Sequence, residues 1–136
     1  MARILVADDD AQQLELRARL LEAGGHEVAA AFSPSEALRQ LAAAEVVIMD
    51  LRFPNAKGRP EAAEGLRLIR QVRDSGCRAP ILVVSGWPED LDGAEEAQFV
   101  TRVLVKPVGM AALLAAIRDC LTEASAPGRN PLSASP

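Results

Sequence analysis

Residues 3–10, Arg-Ile-Leu-Val-Ala-Asp-Asp-Asp, place a short apolar run directly before three carboxylates. A continuous apolar run of this length is typical of a strand that is buried on both faces of a parallel sheet. The same arrangement returns at residues 45–50, Glu-Val-Val-Ile-Met-Asp, and at residues 80–85, Pro-Ile-Leu-Val-Val-Ser. Three apolar runs, each ending in a polar side chain, therefore predict a parallel sheet.

Helical segments are expected between these strands. Asp10 and Gln13 have capping-box spacing before a helix that ends at Gly24-Gly25, and the run Ser33-Pro34-Ser35-Glu36 begins a second helix. The second helix is expected to run to about residue 43. Three further helices are expected at about 66–75, 89–97 and 110–122, and two further strands at 26–31 and 99–105. This strict alternation predicts an α/β doubly wound sandwich, with helices on both faces of five parallel strands.

Length and composition exclude several classes of protein. The 136 residues fit one domain, expected over residues 1–123, with a flexible Ala/Pro/Ser/Gly-rich tail at residues 124–136. The aromatic content of 3% and the net charge of −4 argue against a nucleic-acid partner, which needs stacking platforms or clustered cations. No apolar stretch reaches the ~18 residues of a membrane span. We therefore expect a cytoplasmic protein without membrane insertion.

Polar side chains mark the ends of four predicted strands. Asp8 and Asp9 follow the first strand, Asp50 the third, Ser85 the fourth and Lys106 the fifth. Open parallel sheets bind ligands beyond the carboxyl ends of their strands. Three unpaired carboxylates would repel one another, and a hard divalent cation such as Mg²⁺ relieves that repulsion. A carboxylate nucleophile, a metal, an ammonium group and a hydroxyl together favour phosphoryl transfer.

Four motifs in register resemble the receiver domain of bacterial two-component response regulators. They are Asp8-Asp9-Asp10, Met49-Asp50-Leu51 with Pro54, Val84-Ser85-Gly86, and Val105-Lys106-Pro107. The resemblance covers about residues 2–123. It implies the flavodoxin-like (βα)₅ three-layer sandwich with strand order 2-1-3-4-5 and a cis peptide between Lys106 and Pro107.

The resemblance also implies a stand-alone, phosphorylatable signalling switch. Asp50 would accept a phosphoryl group from the phosphohistidine of a histidine kinase or a histidine phosphotransfer protein, and Ser85 and Lys106 would contact the acyl phosphate. The implied Mg²⁺ ligands are Asp9, Asp50 and the backbone carbonyl of Arg52, with Asp8 acting largely through water. Such a protein is not an enzyme beyond catalysing its own phosphorylation and dephosphorylation, and it signals by binding an unknown downstream protein.

The sequence departs from the family at three places. An insertion of about seven residues is expected within Asn55–Glu64, because Gly65 fits the family's glycine at the start of the next helix. Arg52 and Trp87 stand two residues after Asp50 and Ser85, where we expect them to shield the phosphoryl group and slow autodephosphorylation. Val103 occupies the place of the family's aromatic residue on the fifth strand.

Two other function classes remain open from the residues. A phosphorylation-independent, receiver-like adaptor that binds partner proteins is favoured by Val103, by the inserted loop and by the unusual fifth strand. The complete set of acidic, hydroxyl and ammonium side chains argues against it. A haloacid-dehalogenase-like phosphatase also uses an aspartate nucleophile at a strand end. That family needs a second aspartate two residues on, where this chain has Arg52.

Overall fold

The structure, a computed structural model, describes residues 2–125. Its strands are β1 (Arg3–Ala7), β2 (Glu27–Ala31), β3 (Val46–Met49), β4 (Phe53–Pro54), β5 (Pro60–Glu61), β6 (Ile81–Ser85) and β7 (Arg102–Val105). Its helices are α1 (Ala11–Ala23), α2 (Pro34–Arg39), α3 (Ala62–Asp74) and α4 (Met110–Ser125). Two 3₁₀ turns lie between β6 and β7, at Pro88–Leu91 and Glu95–Phe99.

The five longer strands form one parallel sheet in the order β2-β1-β3-β6-β7. This is the predicted order 2-1-3-4-5, and it confirms the α/β doubly wound fold. The register brings the carboxyl ends of the strands to one side of the sheet. Ala7 of β1 pairs with both Ala31 of β2 and Met49 of β3, and β6 continues for two residues beyond the pair Met49–Val83, to Ser85. The residues that follow these strands therefore lie along one edge of the sheet.

Each face of the sheet carries its own apolar core. The face toward α2 and α3 buries the strand residues Leu5, Ala7, Val47, Met49, Ile81 and Val83. The face toward α1 and α4 buries the strand residues Ile4, Val6, Val46, Ile48, Leu82 and Val84. Consecutive strand residues point to opposite faces, so burial on both faces requires the uninterrupted apolar runs seen in the sequence.

The segment 89–97 does not form the predicted α-helix but lies in two short 3₁₀ turns. Gly93 separates the turns with a φ of 74°, a left-handed conformation that no right-handed helix contains. The rest of the segment is an acidic run with few apolar side chains at helical spacing. The fifth long strand accordingly begins at Arg102 rather than at Phe99, which ends the second turn.

The carboxyl-terminal helix is longer than expected. α4 continues to Ser125, past its predicted end at Thr122 and past the predicted domain boundary after Glu123. The rest of the predicted flexible tail, residues 126–136, lies outside the described residues. Within the described part, no helix has both the length and the apolar character needed to cross a membrane. The peptide between Lys106 and Pro107 is cis, as expected.

The expected insertion Asn55–Glu64 forms an ordered hairpin that leads into the first turn of α3. Strands β4 and β5 pair antiparallel across it. The Asn55 side chain closes the loop: its Oδ1 accepts the backbone N–H groups of Lys57 and Arg59 at 2.8 and 3.0 Å. Its Nδ2 donates to Glu61 Oε1 at 2.8 Å. The Asn55 side chain therefore satisfies its polar groups within the loop.

Candidate functional site

The sheet gathers the predicted site residues at one edge. Asp8 and Asp9 follow β1, Asp50 follows β3, Ser85 ends β6 and Lys106 follows β7. Hydrogen bonds between neighbouring strands continue into this edge: Asp50 N–H donates to Ala7 O at 3.1 Å, and Lys106 N–H donates to Ser85 O at 2.9 Å. The backbone ladder thus fixes where each side chain begins.

Three carboxylates form the centre of the site. One oxygen from each of Asp8, Asp9 and Asp50 lies within 4.8 Å of the other two. Asp8 is buried, and its Oδ1 accepts the backbone N–H of Asp10 at 2.9 Å. Asp10 is instead the N-cap of α1, as its spacing predicts, because its carboxylate accepts the N–H of Gln13 at 3.2 Å. Mg²⁺ prefers carboxylate oxygens, so this donor set fits that ion.

Lys106 is the ammonium group of the site. Its Nζ donates to Asp50 Oδ2 at 2.8 Å and to Asp8 Oδ2 at 3.3 Å. Burial opposes the charge on Lys106, but the hydrogen bond to Asp50 and the charge of Asp8 outweigh it and raise the pKa of Lys106 above its ordinary value. The side chain therefore stays protonated at neutral pH and joins two strand ends.

Backbone groups orient the Asp50 and Ser85 side chains. Asp50 Oδ1 accepts the N–H of Leu51 at 2.6 Å and the N–H of Arg52 at 3.4 Å. Ser85 is fully buried, and its Oγ accepts the N–H of Trp87 at 3.0 Å. Because that contact uses Oγ as an acceptor, the hydroxyl proton of Ser85 stays available to donate. The carbonyl of Arg52 as a metal ligand stays a prediction.

Arg52 and Trp87, which the sequence places beside the site, form a corner with a third residue, Asp90, although 48% of the Trp87 surface is exposed. The Arg52 guanidinium stacks on the Trp87 ring at 3.9 Å from the ring centre. Its Nε and Nη2 donate to the two carboxylate oxygens of Asp90 at 2.9 and 3.2 Å. The sequence pointed to the first two residues but not to Asp90, which it placed within a helix that does not form.

Arg17 is a second residue that the sequence reasoning missed. Its Nη1 lies 3.6 Å from Asp8 Oδ2, and only 12% of its side chain is exposed. The sequence could have indicated this contact, because Arg17 lies seven residues after Asp10. That spacing is about two helical turns and places both residues on the same face of α1. Asp8 is consequently neutralised from two directions, by α1 and by the end of β7.

The three carboxylates repel one another, and Asp9 shows the effect. Its side chain reaches solvent, yet the surrounding protein removes part of its hydration and Asp8 adds a like charge, so the pKa of Asp9 lies above its ordinary value. A raised carboxyl pKa means that folding favours the protonated form. Ionised Asp9 therefore costs free energy of folding when no cation is bound.

Replacing Asp9 by Asn should stabilise the metal-free protein at neutral pH by about 0.5 kcal/mol, a small amount because the side chain is exposed. Protonated Asp9 contributes to the free energy of unfolding. This contribution is complete below the ordinary pKa of 3.8 and is lost as the pH rises through the higher pKa of the folded state. The advantage of Asp9→Asn should therefore appear as the pH rises from acid to neutral.

Urea unfolding in EDTA at several pH values measures this difference. Asp119→Asn is the control, because it removes an exposed carboxylate from α4. An Asp9→Asn protein that is no more stable than the original at neutral pH would contradict the repulsion argument.

Comparison with known proteins identifies the family of the chain. The family model described as response regulator receiver domain matches residues 4–118. The transcriptional regulatory protein CpxR homolog of Haemophilus influenzae is 30% identical, over 96% of this chain and 55% of that protein. The response regulator MprA of Mycobacterium ulcerans is 34% identical, over 88% of this chain and 50% of that protein. The chain spans about half the length of these two curated relatives.

A solved structure shows the same fold at nearly full length. The response regulator receiver domain protein from Clostridium thermocellum has a TM-score of 0.77 and is 28% identical, with 91% of this chain and 97% of that chain covered. The chain therefore belongs to the response regulator receiver domain family.

Proposed function

We propose that this protein is a signalling switch that accepts a phosphoryl group on Asp50 from the phosphohistidine of a histidine kinase or a histidine phosphotransfer protein. The observation that carries the proposal is the 2.8 Å contact between Lys106 Nζ and the Asp50 carboxylate. An ionised carboxylate held by an ammonium group, in a cluster of three acidic residues, suits nucleophilic attack on phosphorus. The receiver-domain family consists of such signalling switches rather than of classical enzymes.

The transfer exchanges one bond to phosphorus for another. A carboxylate oxygen of Asp50 forms the new P–O bond while the P–N bond of the phosphohistidine breaks, and the electron pair of that bond stays on the imidazole. Lys106 Nζ already donates to the Asp50 carboxylate. After the transfer it can donate to a negatively charged phosphoryl oxygen. We propose that the hydroxyl proton of Ser85, whose Oγ accepts the N–H of Trp87, donates to a second phosphoryl oxygen.

Receiver domains bind Mg²⁺ at an acidic cluster, and the cluster of this chain fits that ion. We propose that Asp9, Asp50 and the Arg52 carbonyl hold it directly. Asp8 acts largely through water, because its Oδ1 accepts the N–H of Asp10 and its Oδ2 faces Lys106 and Arg17. The bound ion offsets the negative charge of the phosphoryl oxygens.

Incubation with acetyl phosphate and Mg²⁺ tests the proposal. The intact mass of the protein should rise by one phosphoryl group, and EDTA should prevent the rise. The product should be lost in mild alkali or hydroxylamine, as expected of an acyl phosphate. If neither acetyl phosphate nor phosphoramidate adds mass in the presence of Mg²⁺, Asp50 is not a phosphoacceptor and the switch is refuted.

A phosphorylation-independent adaptor is the second candidate, and two observations favour it. Val103 stands at the position expected to hold the family's aromatic residue, and 39% of its surface is exposed. The segment before β7 forms two 3₁₀ turns in place of a helix. In either case we propose that the protein acts by binding other proteins. We propose that it does so in the cytoplasm. An adaptor would bind its downstream partner equally well whether Asp50 is phosphorylated or not.

The Arg52, Trp87 and Asp90 contacts support a long-lived acyl phosphate. We expect the double variant Arg52→Ala/Trp87→Ala to lose its phosphoryl group about tenfold faster, a change of about 1.4 kcal/mol in the barrier to hydrolysis. The proposed physical reason is that the stacked pair, in which Arg52 stands two residues after Asp50, limits the approach of water to the acyl phosphate. The lifetime is measured from the decay of the phosphorylated mass after removal of the donor.

Arg118→Ala is the control for the double variant, because it removes an exposed arginine from α4, away from the corner. Its phosphoryl group should decay at the original rate. A double variant whose lifetime is unchanged or longer would show that the stacked pair does not shield the site.

A further inference from the structure

Arg17 adds a cation to the acidic site from a helix that supplies none of the proposed metal ligands. It lies within α1, and its guanidinium reaches Asp8 Oδ2 across 3.6 Å. Both partners are removed from solvent, with 12% of the Arg17 side chain and 1% of the Asp8 side chain exposed. Salt screens a buried ion pair weakly. The positive charge of Arg17 therefore acts on the whole site.

The surroundings of Arg17 hold it in place. Its side chain borders a cavity of about 440 Å³ between α1 and the start of α4, whose other lining residues include the apolar Leu16, Leu20, Val108 and Met110. The remaining lining residues, Gln13, Lys106 and Pro107, carry no negative charge, and Asp8 is the carboxylate partner described for the guanidinium. The cation is therefore fixed toward the acidic cluster rather than free to turn to solvent.

The hydrogen-bond acceptors of Asp8 are already used by the protein. Oδ1 accepts the N–H of Asp10 at 2.9 Å, and Oδ2 faces both Lys106 at 3.3 Å and Arg17 at 3.6 Å. Three carboxylates and these two cations leave the site with one net negative charge. Without Arg17 the net charge would be two negative units. A divalent cation would then be attracted more strongly.

We infer that Arg17 is a positioning residue that holds Asp8 and weakens the binding of Mg²⁺ to the unphosphorylated protein. This inference rests on the proposed Mg²⁺ site. It refines that site, because the Arg17 guanidinium competes with Mg²⁺ for the negative charge of the carboxylates. It assigns to α1 a control over metal affinity that is separate from the phosphoacceptor and from the proposed ligands.

Metal titration of the whole protein tests the inference. Mn²⁺ serves as the probe, because it accepts the same oxygen ligands as Mg²⁺ and its free ion is counted by electron paramagnetic resonance, and Mg²⁺ is then added as a competitor. Arg17→Met should bind both ions about tenfold more tightly than the original protein. Arg17→Lys keeps the charge and should stay within about threefold of the original affinity.

Arg19→Met is the matched control, because it removes the same charge from an exposed position of the same helix. Its Mn²⁺ affinity should equal that of the original protein. Equal affinities of Arg17→Met and the original protein would overturn the inference and leave the metal site standing. An equal gain in Arg19→Met would overturn it as well, since the effect would then come from overall charge.

Absence of Mn²⁺ and Mg²⁺ binding in every variant would overturn both this inference and the proposed metal site. Urea unfolding identifies any variant that does not fold. If Arg17→Met fails to fold, Arg17→Gln provides the same test, because its amide can still donate to Asp8 without a charge. The same tenfold gain is expected there, and an unchanged affinity refutes the inference.

Discussion

Asp50→Asn is expected to abolish phosphorylation by acetyl phosphate, with the rate falling by at least about a thousandfold. The neutral amide of Asn cannot form the acyl phosphate that the Asp50 carboxylate forms. The local structure should survive, because the Asn carbonyl oxygen can still accept the N–H of Leu51 and Lys106 keeps its contact with Asp8. The loss would therefore report on chemistry and not on folding.

Intact mass after incubation with acetyl phosphate and Mg²⁺ measures this loss, and urea unfolding confirms that Asp50→Asn is folded. Asp92→Asn is the matched control, because it makes the same chemical change at an exposed aspartate outside the acidic cluster. It should be phosphorylated like the original protein. An alkali-labile phosphoryl group that persists on folded Asp50→Asn would place the acceptor elsewhere.

The parts of the fold that the sequence predicted are those with repeated local signals. The runs around Leu5, Ile48 and Val83 are apolar on consecutive residues because both faces of each strand are buried, and their short length favours strands over buried helices. The site followed from the same pattern. Parallel strands in register bring the residues after their carboxyl ends to one edge, so Asp8, Asp50 and Lys106 meet.

The parts that the sequence missed depend on contacts between distant segments. Arg17 contacts Asp8 only because α1 packs beside β1, and Asp90 meets Arg52 across 38 residues of sequence. The segment 89–97 has helix-compatible composition, but Gly93 and the packing of Leu91 on the core hold it in two turns. Local propensity is a weak guide where such tertiary contacts decide the conformation.

Gly65→Ala is expected to destabilise the protein by at least about 3 kcal/mol. Gly65 lies in the first turn of α3, and its N–H donates to Leu51 O at 2.9 Å. A Cβ at this position would overlap the carbonyl oxygen and the Cα of Leu51 and would lie 2.7 Å from its carbonyl carbon. These are backbone atoms, so relief requires α3 or the chain after Asp50 to move.

The position of Leu51 ties this packing to the chemistry of the site. Its own N–H holds Asp50 Oδ1, so any Gly65→Ala protein that still folds should also be phosphorylated more slowly. Urea unfolding followed by circular dichroism measures the stability, and Gly109→Ala is the control because a Cβ there meets nothing within 4 Å. Gly109→Ala should stay within about 1 kcal/mol of the original. Equal stability of the two variants would mean that α3 can retreat from Leu51 at little cost, and that its close approach does not fix the segment carrying Asp50.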